Sequence, residues 1–160
     1  MAALSAGLLL FRRGAEGNPE VLLVHPGGPF WSRKDAGAWS IPKGEVEAGE
    51  ELAAVAEREF AEELGRPAPD GTRTDLGEIT QAGGKRVRAW AVEGDFDATD
   101  ITSNQFEMEW PPRSGRRQSF PEVDRAVWFS LEEARQKLIA AQVDLLDRLP
   151  ALGNPGSGRD

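Results

Sequence analysis

Residues 50–64, EELAAVAEREFAEEL, constrain the fold more than any other stretch of the chain. They are strong helix formers that run into Gly65, a residue suited to the left-handed position just past a helix end, with Pro67 beyond it. Leu52, Val55, Ala56, Phe60 and Leu64 recur at helical spacing, so the helix has one apolar face that must be buried against something broad. The flanking segments predict a sheet. ALSAGLLLFRR at 3–13 and EVLLVH at 20–25 are apolar runs joined through Gly14, Gly17, Asn18 and Pro19, and they read as a hairpin. Strand patterns follow at 73–81, at 85–93 and at 125–129, the first two as a pair. Ser130 with Glu133 forms a capping box that opens a second helix to about Ala140, and a third helical segment spans 142–149. Strands, helix, strands, helix is the order of an α/β domain with helices packed on a mixed sheet.

The 160 residues predict one domain over 1–149 and a disordered tail over 150–160. HPGGPFWSRKDAGAW, at 25–39, is expected to be an exposed ordered loop, and 97–124 a long structured loop or insertion. The apolar opening from Met1 to Phe11 lacks a basic leader and is shorter than the roughly 20 residues needed to cross a bilayer. It reads as a buried strand, with no membrane association expected.

The chemistry is narrowed by what the chain contains. With no Cys there is no disulfide framework, thiolate metal site or cysteine nucleophile, and the cytoplasm is the expected location. One His, His25, cannot build a His-rich metal site, and its setting between an apolar strand and Pro26 reads as structural. A bound metal would have to be held by oxygen, which favours hard cations such as Mg²⁺ or Mn²⁺. The 27 acidic against 19 basic residues give a net charge of -8, which argues against general nucleic-acid binding.

Glu59, Glu62 and Glu63 stand at i, i+3 and i+4 on the helix, so their carboxylates share one face and repel each other. A solvated acidic face is one reading; a divalent cation that offsets the repulsion is the other, and the residues ahead of the helix favour it. From Gly44 the chain runs five residues to Glu50, seven more, then Arg58-Glu59-Phe60-Ala61-Glu62-Glu63-Leu64-Gly65. This resembles the Nudix box, G-x5-E-x7-R-E-U-x-E-E-x-G-U with U a bulky apolar residue, over residues 44–65. Seven fixed positions match: Gly44, Glu50, Arg58, Glu59, Glu62, Glu63 and Gly65. At about one chance in ten for each, a single register matches by accident with a probability on the order of 10⁻⁷. One position departs: Arg66 stands where the motif has an apolar residue.

The resemblance implies the Nudix fold, an α/β/α sandwich around a central mixed β-sheet. It also implies Mg²⁺-dependent (or Mn²⁺-dependent) hydrolysis of a phosphoanhydride bond in a nucleoside diphosphate linked to another moiety, X. Carried over position by position, Glu59, Glu62 and Glu63 would be metal ligands, Gly44 would lend its carbonyl, and Arg58 would orient a carboxylate. Glu50 would support the loop or a further metal. Glu122, six residues before Trp128, is similar in placement to the extra glutamate of the asymmetric dinucleoside tetraphosphate hydrolases; Glu109 and Asp124 are the alternatives. WSIPKG at 39–44 is similar to the W-x-x-P-K-G approach of those hydrolases, with Lys43 beside the metal site and able to touch a phosphate. The expected chemistry is in-line attack on phosphorus by a metal-activated water, with a carboxylate as base.

For the substrate itself, Arg113, Arg116 and Arg117 among Phe106, Trp110 and Phe120 offer phosphate-pairing forks beside rings, with Lys85, Arg86 and Arg88 extending an electropositive rim. Phe30 and Trp31 could stack on a base, although packing is at least as good an explanation. The resulting expectation is a small-molecule nucleotide substrate, with a lean toward dinucleoside polyphosphates. Nucleoside triphosphate clean-up, oxidised nucleotides included, nucleotide-sugar or inositol pyrophosphate hydrolysis, and a non-catalytic nucleotide sensor remain as alternatives. Oligomeric state is open, a homodimer included.

Overall fold

The computed structural model describes residues 3–150. The expected disordered tail lies, apart from Pro150, outside the described residues. Eight strands and three α-helices occur among them: β1 (Leu4–Arg13), β2 (Pro19–Pro26), β3 (Lys43–Glu45), α1 (Leu52–Leu64), β4 (Thr74–Thr80), β5 (Arg86–Glu93), β6 (Gln105–Glu109), β7 (Arg117–Pro121), β8 (Val123–Ser130), α2 (Leu131–Lys137) and α3 (Val143–Asp147). The main sheet runs β4-β5-β1-β2-β8, with β3 added on β1. β1 and β5 are parallel and the other pairings in that sheet are antiparallel, so the sheet is mixed.

Strand β1 is buried from Ser5 to Phe11, as expected of a central strand covered on both faces. Its alternate side chains divide into two cores. Leu9 and Phe11 join Val21, Leu23, Trp39, Ile79, Val87 and the apolar residues of α2 and α3. Ala6, Leu8 and Leu10 join Leu22, Val24 and the α1 residues Val55, Ala56, Phe60 and Leu64. The molecule is thus a three-layer α/β/α sandwich with α1 on one face and α2 and α3 on the other. No helix among the described residues is long and apolar enough to cross a membrane.

Helix α1 ends as its sequence predicts. Gly65 takes φ 88°, and its N–H donates to the Ala61 carbonyl at 2.7 Å. The Ser130 hydroxyl caps α2 by accepting from the Glu133 N–H at 3.1 Å. One expectation gains detail and one needs correction. The 97–124 segment, expected to be a structured loop or insertion, contains a separate two-stranded sheet, in which β6 pairs with β7 in a register from Gln105↔Pro121 to Glu109↔Arg117. The alternation of Phe106, Met108 and Trp110 was a strand signal hidden by the surrounding Pro and Arg residues. Trp39, expected in an exposed loop, is 1 % exposed. Its indole N–H donates to Asp35 at 2.8 Å and its ring meets Phe129 edge-on.

β2 and β3 share one edge of β1. β2 takes the end from Phe11 to Arg13, and β3 takes the end from Ser5 to Gly7. Gly7 makes this close approach feasible, since a Cβ there would lie 2.5 Å from the Pro42 carbonyl oxygen and 2.8 Å from Lys43 Cβ. The crossing carries Lys43 and Gly44 over the sheet to α1, where the acidic face of the helix lies.

Candidate active site

Gly44 on β3 and Glu59 on α1 nearly touch. A Cβ at position 44 would lie 2.0 Å from the Glu59 carboxyl carbon, so only glycine leaves room for that carboxylate beside the β3 backbone. The two residues line a cleft of about 590 Å³ together with Lys43, Glu45, Glu47, Arg58, Glu62 and Glu63. Its other walls are Pro26, Gly27 and Trp31 from the loop after β2, Asn104, Gln105 and Phe106 at the base of the β6–β7 hairpin, and Glu122 between β7 and β8. Glu122 is fixed there through its backbone. Its N–H donates to the Asn104 carbonyl at 2.8 Å, and its carbonyl accepts from Gly27 at 2.9 Å.

The electrostatics show how close the acids are. Burial, followed by the negative charge of Glu59, pushes the Glu63 carboxyl up to about 8, against partial relief from Lys43. Glu59 is also raised, first by burial and then by Glu62, with Glu122 acting in the same direction. Glu122 bears on both Glu59 and Glu63, which joins it to the helix acids across more than fifty residues of chain. Lys43 is lowered by its own burial, while Glu63 pulls it the other way. Arg58 donates to Glu50 at 2.6 Å and lies 3.6 Å from Glu59 and 3.7 Å from Glu62. Glu50 also accepts from the Glu47 N–H at 2.8 Å. Both of its oxygens are thereby committed to protein donors, a loop-supporting position rather than a wall of the cleft.

This donor set suits a hard divalent cation. The oxygens available are carboxylates from two elements and a glycine carbonyl, with no sulfur or imidazole among the lining residues. A carboxylate held up near 8 by burial and then by the charge of Glu59 is a group that a cation would stabilise. No three of these side chains stand in ligating geometry among the described residues, so the fit rests on donor chemistry and placement.

The other expected substrate residues are elsewhere. Arg113, Arg116 and Arg117 belong to the tip of the β6–β7 hairpin, and Trp110 meets Phe30 edge-on beside them. None of the four lines the cleft. At about 3.3 Å per residue the tip stands roughly 15 Å beyond the hairpin base that does. Arg117 pairs with Glu107 across the hairpin at 3.4 Å. Arg88 forms a two-pronged ion pair with Asp75 and lies over Trp90, outside the cleft. Arg86 pairs with Glu78. Lys85 does not line the cleft either, although its charge reaches Lys43. Phe106, expected among the substrate rings, does line the cleft, whereas sequence reasoning missed Pro26, Gly27, Asn104 and Gln105, because the pairing of β8 with β2 and the hairpin fold bring them in without any local motif.

The comparisons agree with this architecture. The NUDIX domain matches residues 1–149. An 8-oxo-(d)GTP phosphatase of Mycolicibacterium smegmatis is 32% identical over 148 residues, which cover 84% of this chain and 37% of that protein. The chain therefore spans little more than a third of the length of this curated relative. Among solved structures, a C. elegans Ap4A hydrolase in a binary complex superposes with a TM-score of 0.64 at 25% identity, over 92% of this chain and 94% of that one. A MutT protein from Methanosarcina mazei Go1 superposes with a TM-score of 0.58 at 23% identity, over 92% of this chain and 91% of that one. The chain belongs to the NUDIX domain family and has its α/β/α fold.

Proposed function

We propose that the chain is a divalent-metal-dependent hydrolase that cleaves a phosphoanhydride bond in a nucleoside diphosphate linked to X, acting on nucleoside polyphosphates with a lean toward dinucleoside polyphosphates. The observation that carries this reading is the single cleft that joins Gly44, Glu59, Glu62 and Glu63 to Glu122. Those residues would hold Mg²⁺ or Mn²⁺, which when bound neutralises phosphate oxygens and acidifies a water. Arg58 steadies Glu59 and Glu62 from behind, and Glu50 steadies Arg58. The Lys43 ammonium, set against Glu63 at the cleft wall, is placed to meet a phosphate oxygen. Glu59, Glu62, Glu63 and Glu122 face the same cleft, so a carboxylate of this group is placed to accept the proton that an attacking water gives up.

The lean rests on the W-x-x-P-K-G approach, on the position of Glu122 and on the likeness to the C. elegans Ap4A hydrolase. Identity to the mycobacterial 8-oxo-(d)GTP phosphatase favours a second reading, in which the substrate is a nucleoside triphosphate. Incubating the chain with a nucleotide panel and Mg²⁺, with products identified by mass, separates the two. AMP plus ATP from diadenosine tetraphosphate is expected. Faster release of pyrophosphate or orthophosphate from a triphosphate would replace the lean with the second reading, and no cleavage of any nucleotide would leave a non-catalytic sensor.

A further inference from the structure

The strand that leads away from Glu122 is out of step with its neighbour. β2 and β8 pair residue for residue from Glu20↔Ser130 to His25↔Arg125, and then Pro26 faces Val123. Asp124 is therefore an extra residue on β8, a β-bulge. The shift carries on to the cleft, where the Gly27 N–H donates to the Glu122 carbonyl at 2.9 Å. In the register of the rest of the strand, Val123 would stand opposite Gly27, and Glu122 would be displaced by one residue, about 3.3 Å along the chain. The bulge is thus what brings Glu122 to the lip of the cleft.

The side chain that holds the bulge is His25, the last residue before the shift. It is buried, with its ring edge-on to Trp39 at 5.1 Å between centroids. Its Nδ1 lies 2.8 Å from the Asp124 carboxylate and its Nε2 2.6 Å from the Lys34 carbonyl, so the ring is fixed at both nitrogens and cannot turn away from Asp124. Arg125 Nε, also near Asp124, is 4.0 Å away, beyond hydrogen-bond range. A bulged residue is left out of the strand ladder, so the contact with His25 is what opposes its return into register.

The other side of Glu122 is referenced to the acidic helix. Its N–H donates to the Asn104 carbonyl at 2.8 Å, and the Asn104 N–H donates to the Glu62 carbonyl of α1 at 3.0 Å. Glu122 therefore hangs between α1 and the bulge, and neither His25 nor Asp124 is among the residues that line the cleft.

We infer that His25 and Asp124 are positioning residues for Glu122: the contact between them holds the bulge that delivers the Glu122 carboxylate to the cleft. The inference rests on the metal-dependent reading above for what that carboxylate does there, and deepens it, since the affinity of the cleft for a divalent cation is then set in part by two side chains outside it.

The test reads metal binding and backbone exchange. Dissociation constants for Mn²⁺ alone are taken by calorimetry on the wild type, Asp124→Ala, His25→Asn, His25→Gln, Glu122→Gln and the double variant Asp124→Ala with Glu122→Gln, each checked for folding by circular dichroism. Amide exchange is followed by NMR in EDTA. Asp124→Ala is expected to weaken Mn²⁺ binding about tenfold or more, and to speed exchange of the Gly27 amide about tenfold or more relative to the Gly65 amide on α1. The double variant should bind within about a factor of two of Glu122→Gln alone. Asn carries its amide nitrogen at the place of Nδ1 and Gln at the place of Nε2, so His25→Asn should stay near the wild type and His25→Gln should behave like Asp124→Ala.

Unchanged binding and exchange in Asp124→Ala overturn the inference. Additive losses in the double variant overturn it too, since Asp124 would then act independently of Glu122, as would equal losses in folded His25→Asn and His25→Gln. If the Gly27 amide responds as expected while the wild type binds no Mn²⁺ and cleaves no nucleotide, the hydrolase reading fails and the positioning of Glu122 stands. If the wild type binds Mn²⁺ and cleaves nucleotides while Asp124→Ala leaves both measurements unchanged, the reverse holds.

Discussion

Glu63→Gln should make the metal-free protein more stable near neutral pH, and by an amount that grows with pH. Glu63 is held at about 8 in the folded chain against an ordinary 4.5, because burial and the Glu59 charge both oppose its ionisation. A raised carboxyl contributes its full stability below its unfolded pKa and loses it as pH rises toward the folded value. Linkage then puts the penalty at about 1 kcal/mol at pH 5 and about 3 kcal/mol at pH 7, with one pKa unit equal to about 1.4 kcal/mol. The difference of about 2 kcal/mol corresponds to a fall in Tm of about 4–8 °C for a chain of this size. The depressed carboxyls, Asp75 at about 2 and Asp35, Glu50 and Asp95 below their ordinary values, contribute stability that is lost only as pH falls below those ordinary values, so they are nearly flat across this window. The assay is thermal unfolding in EDTA at pH 5, 6, 7 and 8 for the wild type and Glu63→Gln. The two melting temperatures should diverge with pH, the variant lying higher at pH 7, and saturating Mg²⁺ should remove the wild-type slope. Parallel curves would refute the argument that Glu63 carries an uncompensated charge in this cleft.

Two further substitutions test the geometry. Gly44→Ala places a Cβ where the Glu59 carboxylate now sits, and that side chain can swing away; folding should survive while turnover on whichever nucleotide the wild type cleaves falls by about a hundredfold or more. Normal turnover would show that the contact between Gly44 and Glu59 is incidental. Glu122→Gln changes an exposed side chain whose backbone is bonded to Asn104 and Gly27 and removes a charge that opposes Glu59 and Glu63, so folding should be kept and Tm in EDTA should rise slightly. The Mg²⁺ concentration giving half-maximal activity should rise about tenfold or more, and an unchanged metal requirement would move the extra ligand to another residue.

Much of the scaffold was legible because its signals are local. The apolar stripe from Leu52 to Leu64 and the glycine after it dictate α1, and the unbroken apolar run before Arg12 dictates a strand buried on both faces. The carboxylate face of α1 followed from the same periodicity, since residues three and four apart point the same way. Other features depend on pairings far apart in sequence. Trp39 is buried because Ala134, Leu138 and Phe129 close over it from the chain's far end, and the WSRKDAGAW segment carries no trace of that. The arginines near 113–117 have the composition of a phosphate site, but hairpin register decides their location: the strand repeat carries them to the tip and leaves Gln105 and Phe106 at the cleft.

Composition states which interactions a side chain can make, and topology states whether it arrives. The arrival of Glu122 illustrates the second point. It depends on the bond of its N–H to Asn104 and of its carbonyl to Gly27, two backbone contacts that any side chain at 122 could make. The backbone therefore presents whatever residue stands there to the cleft, and a carboxylate at that position adds a negative charge beside Glu59 and Glu63, where burial already disfavours one. Such a residue costs the empty cleft stability and is repaid only when a cation enters. This makes the mutual repulsion of these acids, more than any single contact, the physical reason to read the cleft as a metal site.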